Sequence, residues 1–398
     1  MSAPLPSKTR LFPNPKAARR RYGPAERAVL SHDAGEDARR EIAGWPGYAA
    51  TPLRTLPDLA RRTSVGEVLY KDESSRFGLG SFKALGGAYG VRHVLASEVA
   101  RLTGREPSPD SLRRGEHADA VRGITVITAT DGNHGRSVAW GARMFGCSCV
   151  VYLPSGVSAN REAAIRGYGA ETVRSSGNYD AAVREAQERA QRDGFFVVSD
   201  TSYEGYEEVP RLVMQGYTVL MAEALAEIDR PPTHVFVQAG VGGLAAAVCS
   251  VLWERFGEAR PTVVVVEPER AACLFESAKA GRLVTLHGDL ETVMAMLSCG
   301  EVSPLAWRIV EPCADFFMTV PDDAVPPAMR LLAGGAGSGE RITVGESGVA
   351  GVCGLLAAAA DPALRRTVGL SAESRVLTIG TEGATDPEIY ESIIGSRG

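Results

Sequence analysis

Five apolar runs most constrain what this chain can fold into. They are residues 261–266, 235–238, 121–128, 149–153 and 375–379. They are short, β-branched and apolar on both alternating faces, so each predicts a strand covered on both sides. Helical patterns separate them, expected over 84–102, 135–145, 159–168, 179–193, 213–228 and 244–252. Further strands are expected over 66–71, 171–174 and 195–199. Alternating β and α elements with buried strands specify an α/β, doubly wound parallel architecture.

The 398 residues suffice for two domains with sizeable cores, and 44% are hydrophobic against 23% charged, an ordinary balance for an enzyme. A net charge of −5 argues against nucleic acid as a general partner. The apolar runs near 244–253 and 349–360 fall short of the roughly 20 residues of a membrane helix, so no membrane partner is expected. The start, MSAPLPSKTRLFPNPK, has no apolar core of a signal peptide. Seven scattered cysteines without a C-x-x-C pair fit a reducing cytoplasm and no metal site. Residues 1–50, polar and rich in Pro, Arg and Ala, read as a partly loose arm with one helix near 24–43. Residues 103–117 read as an exposed insertion.

Four segments carry chemistry. In KDESSRFGLGSFKALGGAYG, Lys83 stands before a small-residue helix start, among glycines that admit a flat ligand. A sheltered lysine can lose its proton and attack a carbonyl; a lone lysine is more often simply at a helix start. QAGVGGL, residues 238–244, joins a buried strand to a helix and forms an anion cradle of backbone N–H groups. It lacks G-x-G-x-x-G and Gly-Lys-Ser/Thr, so it suits a single phosphate. TDGNHG, residues 130–135, lies at the carboxyl end of a strand, where open α/β sheets bind ligands; alone it is also an ordinary turn and helix cap. TIGTEGATD, residues 378–386, ends the last strand.

In order, KDESSRFGLGSFKALGG, ATDGNHGRSVAWGA, SDTSYEGYEEVPRLVMQGY, QAGVGGLA, VEPERAACL, GESGVAG and GTEGATD resemble the 2,3-diaminopropionate ammonia-lyases, from about Thr51 to the C-terminus. These are pyridoxal-phosphate enzymes of fold type II, the tryptophan synthase β superfamily. The lysine motif and glycine cradle are shared with serine/threonine dehydratases and cysteine synthases. Asp131, the DTSYEGY stretch and the TEGATD ending are more selective.

The resemblance implies two three-layer αβα domains with pyridoxal 5′-phosphate between them. Residues 1–88 with 221–398 would be the large cofactor-binding domain, and 89–220 a small mobile one. Lys83 would bond the cofactor aldehyde. Asn133 would face its phenolic oxygen. Gly240, Val241, Gly242, Gly243 and Leu244 would hold its phosphate. Thr381 would meet its pyridine nitrogen. Asp131 and Asp200 would balance a substrate with two ammonium groups and move protons; a strand-end cap is the plainer role for Asp200. Glu346 receives no role, and Cys273 and Cys299 stand where family members carry a cysteine pair. The implied reaction is α,β-elimination of 2,3-diaminopropionate, L and D, to pyruvate and two ammonia, by a homodimer acting on a small amino acid. The same fold also serves dehydration of serine or threonine and β-replacement. A cofactor carrier without turnover is the reading of another class, against which the intact lysine, cradle and carboxylates speak.

Overall fold

The computed structural model describes residues 8–130, 132–177, 179–335 and 340–395. Its strands run in chain order as β1 (Arg10–Pro13), β2 (Leu53–Thr55), β3 (Glu67–Asp72), β4 (Thr125–Ala129), β5 (Ser148–Leu153), β6 (Glu171–Arg174), β7 (Phe196–Val197), β8 (His234–Gln238), β9 (Thr262–Pro268), β10 (Phe316–Val320) and β11 (Arg375–Gly380). They form a seven-stranded sheet, β1-β10-β9-β8-β11-β3-β2, and a four-stranded sheet, β6-β5-β4-β7.

The chain divides into two compact units. The larger holds residues up to 32 with 50–75 and 220–398; the smaller holds 33–49 and 76–219. In the larger, β10, β9, β8, β11 and β3 run parallel, and the edge strands β1 and β2 pair antiparallel with β10 and β3. The smaller unit's sheet is parallel throughout. Both sheets are the α/β arrangement expected from the apolar runs.

Burial on both faces explains those runs. Val264 and Val266 pack in one core with Phe236, Met318, Cys353 and Leu355. Val263 and Val265 point to the opposite face and are also fully buried. Each such side chain contributes about 1.5–3 kcal/mol by leaving water. The smaller unit repeats the device with Ile127, Val150 and Tyr152 against Ala182, Ala186 and Ala190.

Several expectations are corrected. Within the region 1–50, several described residues are tied to the larger unit or buried. Arg10–Pro13 pairs with Phe316–Thr319, Tyr22, Val29, Leu30, Ala38, Ile42 and Trp45 are buried, and Trp253 Nε1 donates to the Arg20 carbonyl at 2.6 Å. Four residues ending in a proline carry no periodicity, so only the partner strand, itself unforeseen, makes β1 a strand. The expected strand 121–128 begins at Thr125 instead, because Ala118–Val121 is a helical turn that stops at Arg122-Gly123. The helix expected from Val213 spans Glu208–Glu227, with Pro210 tolerated in its first turn. The insertion is not wholly exposed. Ser108 Oγ accepts the Ser111 N–H at 3.1 Å and caps a helix over Pro109–Arg113, which buries Ser111 and Leu112.

Candidate active site

Lys83 opens a helix, Thr130, Gln238 and Thr381 lie at the carboxyl ends of parallel strands, and the chemistry-bearing residues fall in both units. In the smaller unit, a helix runs over Lys83–Thr103 and begins at Lys83 itself. Its first turn is built for close approach. A Cβ on Gly86 would collide with Tyr217, one on Gly216 with the Leu85 carbonyl, and one on Gly87 with Ser137. Ser137 Oγ donates to the Lys83 carbonyl at 2.6 Å, which fixes the start of this helix to the helix Asn133–Phe145.

Lys83 Nζ is thereby held against Asp200 Oδ2, with which it forms an ion pair, and lies 5.3 and 5.5 Å from the ring centres of Phe82 and Tyr217. Burial pushes the Lys83 ammonium down, but Asp200, with Tyr217, more than offsets this and holds it above the ordinary lysine value. Burial likewise pushes Asp200 up, and Lys83, then His134, outweigh that and hold its carboxyl below the usual range. Asp200 thus ion-pairs with Lys83.

Two residues without a forecast role define this pocket. His134 Nε2 lies 2.9 Å from the Val198 carbonyl. A carbonyl only accepts, so Nε2 carries the proton. Its Nδ1 is buried without a hydrogen-bond partner, 3.9 Å from Asp200 Oδ2. Burial keeps the ring below the ordinary histidine value, Asp200 opposing. Tyr206 in the DTSYEGY stretch donates to the Val197 carbonyl at 2.8 Å and accepts the Ser199 N–H at 3.0 Å. It closes the turn that presents Asp200. The motif letters 134 and 206 were visible in sequence, but the partners that give them meaning are backbone atoms.

Asn133 opens its helix and is buried. Thr130 Oγ1 accepts the N–H groups of Gly132 and Gly135 at 3.0 and 3.1 Å, so the capping acceptor is Thr130. Asp131 lies outside the described residues.

In the larger unit, β8 ends at Gln238 and leads to the helix Gly243–Phe256. Gly242 is its N-cap, at φ +102°, and no side chain caps the helix. A helix start of this kind suits an anion. Val241 is pinned by its carbonyl, which accepts the Ser303 N–H at 2.9 Å. A Cβ on Gly240 would lie 3.0 Å from Cys299 Sγ, and Cys273 Sγ donates to the Gly240 carbonyl at 3.6 Å, so both cysteines border this loop. Leu244 is buried, as is Thr381, directly after β11. Gln238 Nε2 reaches Thr381 Oγ1 at 3.0 Å. Glu346 is also buried.

These residues fit pyridoxal phosphate. A buried amine beside a carboxylate can take up its aldehyde, an uncapped helix start with glycine N-cap suits one phosphate, and a buried hydroxyl suits its ring nitrogen. Residues 45–381 match the family described as pyridoxal-phosphate dependent enzyme. The chain is 40% identical over 374 residues to the diaminopropionate ammonia-lyase of Escherichia coli strain K12, covering 92% of each chain. The chain belongs to the diaminopropionate ammonia-lyase family of pyridoxal-phosphate-dependent enzymes. The Salmonella typhimurium family member is likewise 40% identical, over 94% of this chain and 96% of its own. The crystal structure of the Escherichia coli family member in complex with an aminoacrylate-PLP azomethine reaction intermediate superposes with TM-score 0.87 at 36% identity, covering 98% of this chain and 97% of the other. The fold is accordingly fold type II.

The glycine N-cap gives a direct test of the phosphate loop. At φ +102°, Gly242→Val places a β-branched residue in the left-handed region, with its Cβ 3.3 Å from Leu274 Cδ2. Such strain costs on the order of 1–3 kcal/mol. We expect cofactor affinity to fall by about tenfold or more, beyond any change in melting temperature of the cofactor-free protein. Titration with pyridoxal phosphate, followed by fluorescence, measures it; full affinity in a folded variant would put the phosphate elsewhere.

Proposed function

We propose that this chain eliminates ammonia from 2,3-diaminopropionate, L and D, to give pyruvate and two ammonia. The observation that carries the reading is the half-buried Lys83–Asp200 pair, in a chain 40% identical to enzymes of that name. The bound cofactor supplies the electron sink for removal of the α-proton.

The chain's own residues do the rest. Lys83 would hold the cofactor through its aldehyde group, and its amine would take the α-proton of the L isomer. Asp200 holds the lysine charge and offers its carboxylate to a substrate ammonium. Asp131 takes the α-proton of the D isomer from the opposite face. Gly240, Val241, Gly242, Gly243 and Leu244 bind the phosphate through N–H groups, Asn133 donates to the phenolic oxygen, and Thr381 meets the ring nitrogen. A hydroxyl there orients the ring without protonating it, which favours prompt loss of the β-group. The resemblance further supports a cytoplasmic homodimer, to be checked by light scattering on the purified protein.

Pyruvate release from each diaminopropionate enantiomer, L-serine and L-threonine tests the reading. It predicts turnover of diaminopropionate far above the hydroxy amino acids. Faster turnover of L-serine would make the chain a dehydratase. Asp131→Asn refines the test. Loss of a general base costs about 10²–10⁴-fold, so the D isomer should suffer that loss and the L isomer much less. Because Thr130 already caps the helix, we expect little change in melting temperature. Equal losses on both isomers would remove Asp131 from the mechanism.

A further inference from the structure

Gln238 is 1% exposed and ends β8 beside the end of β11. Its Nε2 lies 2.9 Å from the Ile379 carbonyl, 3.0 Å from Thr381 Oγ1, 3.1 Å from the Gly348 carbonyl and 3.4 Å from the Ser347 carbonyl. Three of these four neighbours can only accept. They fix which end of the amide faces them, because the reverse orientation would set Oε1 against carbonyl oxygens. Oε1 is left buried with no partner, facing Gly351, where a Cβ would lie 3.3 Å away. Leaving an acceptor unsatisfied inside a core is unfavourable, so the local structure enforces the outward NH₂ at a cost.

This orientation decides the direction of the Thr381 hydroxyl. An amide nitrogen has no lone pair to offer, so at 3.0 Å Thr381 Oγ1 must be the acceptor. Its own proton then points away from the Gln238 amide, and the hydrogen bond seen at Thr381 Oγ1 among the described residues is the one it accepts from Gln238. We infer that Gln238 is a positioning residue that sets the polarity of Thr381, so that Thr381 presents a proton, never a lone pair, to the cofactor's ring nitrogen. The inference rests on the reading that Thr381 meets that nitrogen. It also gives the GESGVAG segment a purpose: its Ser347 and Gly348 carbonyls lock the Gln238 amide, and Gly351 leaves room for it. A hydroxyl locked as donor selects a ring nitrogen without a proton.

The test uses holoenzyme reconstituted with pyridoxal phosphate carrying ¹⁵N in the ring. In the native protein the resonance should lie at the position of an unprotonated nitrogen that accepts a hydrogen bond. Gln238→Met removes the donor that makes Thr381 Oγ1 an acceptor, so the hydroxyl is no longer held in one direction. The resonance should then move toward that of a free pyridine, and cofactor affinity should fall about fivefold, the worth of one hydrogen bond. Thr381→Val should give the same displacement, and the double variant no more than either. Should Gln238→Met not fold, Gln238→Glu serves. A neutral acid gives its one proton to a carbonyl and draws the Thr381 proton to its other oxygen, so the same displacement is expected. If Thr381→Val moves the resonance and neither Gln238 variant does, the inference fails while the Thr381 reading stands. If Thr381→Val leaves it unmoved, the Thr381 reading fails, and this inference with it.

Discussion

Lys83→Ala should bring pyruvate formation from L-diaminopropionate to the background rate. The loss of a general base alone costs about 10²–10⁴-fold, and the covalent hold on the cofactor goes with it. In the native holoenzyme, borohydride reduction and peptide mapping should mark Lys83; a mark on another lysine would overturn the assignment. The variant should still bind pyridoxal phosphate, though weakly, through the uncapped helix start at Gly242-Gly243. It should also lose stability. Asp200 is left charged and nearly buried once Lys83 is removed, and breaking a buried pair from one side costs up to about 3–5 kcal/mol. Partial exposure of both side chains, 18% and 11%, puts the expectation at the lower end of that range.

Asp200→Asn should be nearly as damaging, by a different route. With the carboxylate gone, burial is opposed by Tyr217 without Asp200, and the Lys83 ammonium should fall from its raised value. An amine reagent should therefore modify Lys83 of the cofactor-free variant faster at pH 8 than in the native protein. Turnover should fall by about 10²–10⁴-fold. The sign of the pH dependence follows from the directions of the shifts. Asp200 is lowered, so its contribution is present above the unfolded carboxylate value and is lost as pH falls toward its folded one. Lys83 is raised, so its contribution is present below the unfolded lysine value and is lost as pH rises through the folded one. The stability gap between native and Asp200→Asn proteins should thus be widest between about pH 4 and pH 10 and close in acid. A gap unchanged down to pH 2 would mean that the pair does not form.

Much of this was legible in the residues themselves. Strands such as Val263–Val266 announce themselves because both faces are apolar, and Gly242 because a strand-to-helix turn leaves it no side chain. The reach of Lys83 to Asp200, across 117 residues, was legible as two motifs of one family, never as a contact. What stayed hidden depends on partners that no local pattern encodes. Tyr206 and His134 act through backbone carbonyls, and Gln238 through neighbours 109 to 143 residues away. β1 is a strand only because β10 lies beside it, and β10, a plain five-residue run bounded by Asp315 and Pro321, was passed over with it.

The strand order of the larger sheet bears on how the chain is made. β11, the last strand in sequence, lies between β8 and β3, and β1, the first, waits for β10. A chain emerging from the ribosome can complete the four-stranded sheet once residue 197 is out, since that sheet needs nothing later. The seven-stranded sheet remains split, with β3 and β8 offering bare edges to each other and to other chains, until residue 380 has appeared. Such edges invite aggregation. The closing strand ends directly before Thr381, so a nascent chain gains a continuous sheet and that hydroxyl almost in one step.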